Sequence, residues 1–256
     1  MRPAAVAGAF YPGDADVLAR EVDALLAAPR AAEATAPKAI IAPHAGYQYS
    51  GPIAASAFAA IAGAAAHIER VVLLGPAHRV ALMGVALPAA PFFATPLGDI
   101  RVDLDDPAVA ALPRSEAAHR QEHSLEVELP FLQRILGSFR LLPLVVGKAG
   151  PEQVGGVIES LWGGAETLVV VSSDLSHYHP YDRARRIDAE TARLVLALDA
   201  EALAPERACG AAAVAGLLWV ARRKRLRSRL LDLRSSGDTA GGHDEVVGYG
   251  AFAFYE

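Results

Sequence analysis

The chain has 256 residues, 53% hydrophobic and 21% charged, with a formal net charge of −5. That size and apolar content suit one large α/β domain or two small ones and argue against a disordered chain. The acidic balance argues against a general polyanion binder, and the lone cysteine excludes a disulfide framework or a CxxC zinc knuckle.

Residues 4–10 form a short apolar segment, an edge strand or an extended arm. No long apolar leader precedes Pro12-Gly13, so the segment does not read as a secretory signal. The longest apolar run, 210–221, falls short of the ~18 residues of a membrane span. The chain therefore reads as cytoplasmic, with no membrane partner. Asp14 caps a helix running to about Ala28, with Val17, Leu18, Val22, Leu25 and Leu26 on one face. Residues 31–37 form a small-residue linker. The first core strand spans 38–42, and after a loop at His44 a helix begins near Pro52, capped by Ser50, and continues through 54–65.

The second core strand, 71–74, ends in Gly75-Pro76-Ala77-His78. Short strands are expected at 84–87 and 100–102, with Thr95-Pro96-Leu97-Gly98 as a turn in a loop or lid. A helix over 124–136 is interrupted at Pro130. Strand 141–146 and helix 151–162 follow. The third histidine-bearing strand, 167–171, runs into Ser172-Ser173-Asp174-Leu175-Ser176-His177-Tyr178-His179. Amphipathic helices are expected over 181–198 and 208–225, and a closing strand over 246–254. Strands alternate with helices throughout, which predicts an α/β single domain with a central mostly parallel or mixed sheet flanked by helices.

Three apolar strands each deliver a histidine at their C-terminal edge, where open α/β sheets build their sites. The candidate donors are His44, His78, Asp174, His177, His123 and Cys209. Imidazole, carboxylate and thiolate suit iron, copper or zinc. The three-residue spacing of Asp174 and His177 fits one face of a helical turn; alternatively Ser172-Ser173-Asp174 starts a helix and the aspartate caps it. His119-Arg120-Gln121-Glu122-His123 matches H-x-x-E-H, a metalloprotease motif that requires both histidines on one helical face. His123, with Glu122 at a helix start, reads as a pocket residue or as part of a cap. Cys209, at the start of a buried helix, is either a thiolate favoured by the helix terminus or a small buried hydrophobe. As a nucleophile it would take His177 or His123 as base. Tyr47, Tyr49, Tyr178 and Tyr181 flank the histidines, as pocket lining or as ordinary core-edge residues. The basic run 222–229 reads as a solvated helix end. Neither a Walker loop nor G-x-G-x-x-G is present, so no nucleotide cofactor is expected.

These motifs, together with Ala42-Pro43-His44-Ala45-Gly46-Tyr47, Tyr49-Ser50-Gly51-Pro52, Glu122-His123-Ser124-Leu125-Glu126, Leu129-Pro130-Phe131-Leu132, Ala208-Cys209-Gly210 and Val246-Val247-Gly248-Tyr249, resemble the Memo family, also called AmmeMemoRadiSam system protein B. The resemblance covers nearly the whole chain. One departure is Arg234, where an aromatic is commoner. The resemblance implies a fold like that of LigB-type class III extradiol dioxygenases. It further implies Fe(II) or Cu held by His44, His78, Cys209 and Asp174, with His123 and His177 close by. On the reading as a metal-dependent redox enzyme, His123 and His177 serve as acid/base groups or orient the ligands, and Tyr47 and Tyr178 hydrogen-bond the substrate. The dioxygenases use two histidines and a glutamate; the cysteine sets this chain apart. The family's association with radical-SAM and AMMECR1-like proteins implies a shared modification pathway and a redox or oxygen-dependent reaction. The alternative is a non-catalytic module that binds a peptide or small molecule with a vestigial pocket.

Overall fold

The computed structural model describes residues 1–28 and 35–256; most of the linker expected over 31–37 lies outside them. The sheet is built on four parallel strands. They are β1 (Ala39–Ala42), β2 (Arg70–Pro76), β6 (Arg140–Val146) and β7 (Thr167–Ser172), running side by side as β6-β2-β7-β1. Antiparallel strands close both ends: β3 (Val85–Ala86) on β6, and β10 (Val246–Tyr255) on β1, with β8 (His177–His179) and β9 (Arg227–Ser235) on β10. A separate hairpin pairs β4 (Phe92–Thr95) with β5 (Gly98–Arg101) across the expected Thr95–Gly98 turn. The mixed, mostly parallel sheet flanked by helices is the architecture the alternating pattern predicts.

Side-chain alternation explains why the core strands read as unbroken apolar runs. Ile40, Val71, Leu73, Leu168 and Val170 pack on one face, against α1 (Ala15–Leu26), α2 (Tyr47–Ala59) and α4 (Leu129–Leu136). Ile41, Val72, Leu74, Val169 and Val171 pack on the other, facing α5 (Pro151–Ser160), α6 (Tyr181–Leu196) and α7 (Ala211–Lys224). A sheet covered on both faces leaves no polar side to betray the strand period. No helix among the described residues is long and apolar enough to cross a membrane.

Several local expectations are corrected. The helix α2 opens at Tyr47, with Pro52 inside it, because Gly46 carbonyl already receives the Tyr49 and Ser50 N–H groups; the Ser50 hydroxyl donates to Ala45 O instead of capping. Pro130 opens α4 rather than interrupting a helix, and Glu126–Glu128 before it form a 3₁₀ turn. The basic run divides: Arg222–Lys224 finish α7, the left-handed Arg225 caps it, and Arg227 and Arg229 belong to β9. That strand escaped notice because its arginines masked the alternation. The helix α3 (Glu116–Arg120) stops before Glu122 and His123, so the H-x-x-E-H residues share no helical face.

Its His119 is buried, with its ring Nε2–H donated to Ala86 O. Burial pulls the imidazole down to about 4, so the native state keeps it neutral while the unfolded chain protonates near 6.5. The sign follows: this contribution is complete above pH 6.5 and is lost as pH falls from 6.5 towards 4. His119 alone should lower the unfolding free energy, read from urea titrations, by up to ~1.4 kcal/mol per pH unit across that window. The His119→Gln variant should flatten the slope; an unchanged slope would refute the assignment.

Candidate metal centre

The site lies at the C-terminal edge of three adjacent strands. His44 follows β1, His78 follows β2 and Asp174 follows β7, which runs between the other two. Cys209 enters from the loop before α7. Glycine permits that approach: a Cβ on Gly210 would sit 2.8 Å from Ser172 O and 2.7 Å from Ser173 Cβ. Gly75 plays the same part under Ser124, whose hydroxyl oxygen would stand 2.8 Å from an added Cβ.

Two groups of donors form, and both contain His44. In the first, His44, His78 and His123 place ring nitrogens within 4.8 Å of one another; in the second, His44, Asp174 and Cys209 do so with nitrogen, carboxylate oxygen and sulfur. The His78 and His123 rings stack with centroids 4.8 Å apart. His44 meets both edge-on, at 5.3 and 5.5 Å. On its other side, His44 Nε2 lies 3.3 Å from Cys209 Sγ and 4.0 Å from Asp174 Oδ2. Among the described residues no group joins His78 to Cys209 at that spacing, so His44 is the hinge between the two halves.

Backbone contacts hold these loops in place. Asp174 Oδ1 accepts the His44 N–H at 2.8 Å, tying the β7 loop to the β1 loop. The Cys209 N–H donates to Asp174 O at 3.2 Å, and the Asp174 N–H points at Cys209 Sγ at 3.3 Å. The segment after β7 is irregular and then forms β8, so Asp174 and His177 share no helical turn, and Asp174 caps another loop rather than a helix of its own. His177 stands outside both donor groups, with its Nδ1 2.8 Å from Leu175 O. Tyr178 is 70% exposed, in a left-handed conformation with φ 57°. Tyr47 is buried against Phe131, its hydroxyl donated to Val127 O.

Glu122 does more than the sequence reading assigned it. Its carboxylate accepts the His78 N–H at 2.6 Å and the His123 and Ser124 N–H groups at 2.9 and 3.0 Å, and Oε1 lies 2.9 Å from His78 Nδ1. Burial pushes this carboxyl up, but those hydrogen bonds and the nearby His78 outweigh it and hold it at about 2. An ionised carboxylate on Nδ1 turns His78 Nε2 outward as a lone pair, the arrangement that serves metal-binding histidines. The N-terminal arm was also missed. Phe10 packs edge-on against His123 at 5.0 Å, and Arg2 donates to the carbonyls of His119 and Glu122 and to Glu126.

The residues fit a transition metal by their own chemistry. Burial lowers His44 and takes His123 down to about 4, so both rings are neutral and keep a lone pair. The Nδ1 atom of His123 is buried and makes no hydrogen bond, its nearest charged neighbour being Glu122 Oε1 at 3.4 Å. Burial raises Cys209, which stays a neutral thiol, and takes Asp174 up to about 7, so that its carboxyl is divided between the acid and the carboxylate near neutral pH. A helix terminus does not make Cys209 a thiolate: α7 begins after Gly210, and desolvation dominates. The imidazole beside the sulfur is His44, not His123 or His177. A cleft of about 770 Å³, lined by Cys209 with Ala77, Leu82, Val146, Leu203 and Ala208 and by the charged Lys148 and Glu201, adjoins the sulfur side; His44, His78, His123 and Asp174 do not line it.

A model of the Memo-like protein family matches residues 2–253. A MEMO1 family protein of Archaeoglobus fulgidus is 33% identical, covering 99% of both chains. One from Ignicoccus hospitalis is 34% identical over 99% of this chain and 98% of its own, and one from Aquifex aeolicus 35% over 97% of each. With matches that run from end to end and a strand-edge site assembled from the very motifs that carry the likeness, the chain belongs to the Memo family.

Proposed function

We propose that this protein binds Fe(II) or copper through His44, His78, Cys209 and Asp174 and acts as a redox or oxygen-dependent enzyme. The observation that carries the reading is the pair of three-donor groups meeting at His44. Nitrogen, sulfur and carboxylate donors at these spacings suit late first-row metals, and thiolate favours copper(I) and iron. When bound, such a metal supplies one-electron chemistry and open coordination positions. The chain's own residues do the rest. Glu122 orients His78, and Asp174 fixes the His44 loop through a backbone N–H. His123 and His177 are the acid/base candidates, and the apolar cleft beside Cys209 offers room for a water-poor substrate body. The radical-SAM and AMMECR1-like proteins of the family's association are the proposed pathway partners. The competing reading, a binding module with a vestigial pocket, requires partner capture that is indifferent to metal.

Anaerobic titration of chelator-stripped protein with Fe(II) and with Cu(I), read by competition with a coloured chelator, tests the reading. One equivalent of at least one metal should bind tightly and raise the melting temperature, since a ligand present at 100 times its Kd adds about 2.7 kcal/mol. Failure of both metals to bind would overturn it.

A further inference from the structure

Beneath the donor groups lies a buried chain of polar atoms that the metal reading does not use. His44 Nδ1, facing away from the cluster, is 2.7 Å from Ser172 Oγ. The same hydroxyl oxygen is 2.7 Å from Ser124 O and 2.6 Å from Glu128 Oε1. All four residues are at most 1% exposed. The second Glu128 oxygen, Oε2, is buried and has no partner.

A serine hydroxyl has one proton to give and two lone pairs. Ser124 O can only accept, so it takes the one Ser172 proton. The other two contacts must then bring their own protons. Were Glu128 ionised, two acceptors would compete for a single O–H, and one oxygen pair would stand 2.6 or 2.7 Å apart with no proton between them. Were His44 Nδ1 bare, the same conflict would fall on Ser124 O. One assignment satisfies every contact: Glu128 donates to Ser172, His44 Nδ1–H donates to Ser172, and Ser172 donates to Ser124 O.

The geometry points to Glu128 as a neutral carboxylic acid that, through Ser172, fixes His44 in the tautomer with Nδ1 protonated and Nε2 bare. Its surroundings agree. The ionisable groups acting on it are Asp174 and Tyr47, neither a cation, and burial, the largest cause, together with Asp174 outweighs the lowering effect of the Ser172 contact and raises its carboxyl well above the usual range. An ionised Glu128 would also leave charge on the partnerless Oε2, a buried state that is expensive. The bare Nε2 is the atom 3.3 Å from Cys209 Sγ and 4.0 Å from Asp174 Oδ2, so this tautomer presents its lone pair to the donors on that side. Glu128 is therefore a positioning residue: it touches no donor but determines which His44 nitrogen faces the site.

Two measurements on the metal-free full chain test this independently of metal binding. Infrared spectra at neutral pH should contain a protonated-carboxyl carbonyl band that shifts in D₂O and disappears in Glu128→Gln; the comparison separates it from Asp174 and Asp188, whose carboxyls burial also raises. Nitrogen-15 NMR of labelled histidine should give His44 as the Nδ1–H tautomer in the wild type. That tautomer should persist in Glu128→Gln, whose amide can still donate, and be lost or mixed in Ser172→Ala. No band that Glu128→Gln removes, or an Nε2–H tautomer in the wild type, would overturn the inference. A third measurement rests on the proposed metal reading: Fe(II) or Cu(I) affinity should fall roughly 10–100-fold in Ser172→Ala and in Glu128→Leu, with Glu128→Gln restoring it. Protein with the band and the tautomer that binds neither metal upholds the assignment of Glu128 while refuting the metal reading.

Discussion

Replacing Glu126 by alanine is expected to destabilise the protein by about 4 kcal/mol, within the 3–5 kcal/mol found when one partner of a buried ion pair is removed. Glu126 is fully buried, and four donors converge on it: the Arg2 guanidinium at 2.7 Å, the Ala5 and Val6 N–H groups at 2.7 and 2.9 Å, and the Tyr11 hydroxyl at 2.7 Å. Alanine would strand Arg2, which is 4% exposed, as an uncompensated buried cation. The two backbone N–H groups would also lose their acceptor. An exposed pair such as Arg101–Asp105, 62% and 87% accessible, offers the contrast, because its loss should change stability by no more than ~1 kcal/mol. The N-terminal arm should loosen with the mutation. Phe10 would leave His123, and Arg2 would release the His119 and Glu122 carbonyls, so early proteolysis near Gly8–Tyr11 should accompany the lower urea midpoint. Converting both partners together, Arg2→Met with Glu126→Leu, should cost less than Glu126→Ala alone, since no buried charge remains. A Glu126→Ala loss below about 1 kcal/mol would show that the arm is not clamped as described.

That clamp illustrates why the fold was more legible than the site. Strand and helix existence follows from local pattern: the apolar runs at 38–42, 71–74 and 167–171 each became a core strand, and each was recognised by composition and by the break after it. Placing histidines at those breaks needed no long-range information. Partnership does. Arg2 and Glu126 are 124 positions apart, and nothing in either neighbourhood announces a buried charge. Glu122, Glu126 and Glu128 look like a helix start rich in acid, the ordinary fate of glutamate near a positive dipole end. In the folded chain all three are buried, and each faces a different partner: His78, Arg2 and Ser172. The grouping of donors was equally hidden. Spacing paired Asp174 with His177 on an imagined helical turn, whereas the β7 loop is irregular and aims Asp174 at His44. Buried carboxylates sitting just before an apolar helix beginning Leu129-Pro130 were the signal available, since solvent-facing acids rarely alternate with Leu125, Val127 and Leu129 at core positions.

The sharpest test of the centre is that His44→Ala should abolish tight binding of both Fe(II) and Cu(I), while no other single donor substitution does so for both. His44 is the member common to the two groups, so its removal leaves only pairs: His78 with His123, and Asp174 with Cys209. If the three donors of one group share a binding free energy of about 10–16 kcal/mol, each supplies roughly 3–5 kcal/mol, and losing one should weaken binding in that group by at least ~100-fold. Cys209→Ser separates the halves. Thiolate prefers copper(I) over harder ions, so this variant should lose Cu(I) more severely than Fe(II) when the metal sits on the sulfur side. His123→Ala should have the opposite bias if the metal sits among the three imidazoles. Anaerobic competition titrations give the affinities, and the metal-induced rise in melting temperature gives an independent reading on the same samples. Far-UV circular dichroism on the metal-free variants guards against lost folding. Wild-type affinity for either metal in folded His44→Ala would remove the hinge from the centre, and with it the case that these loops converge in order to hold a metal.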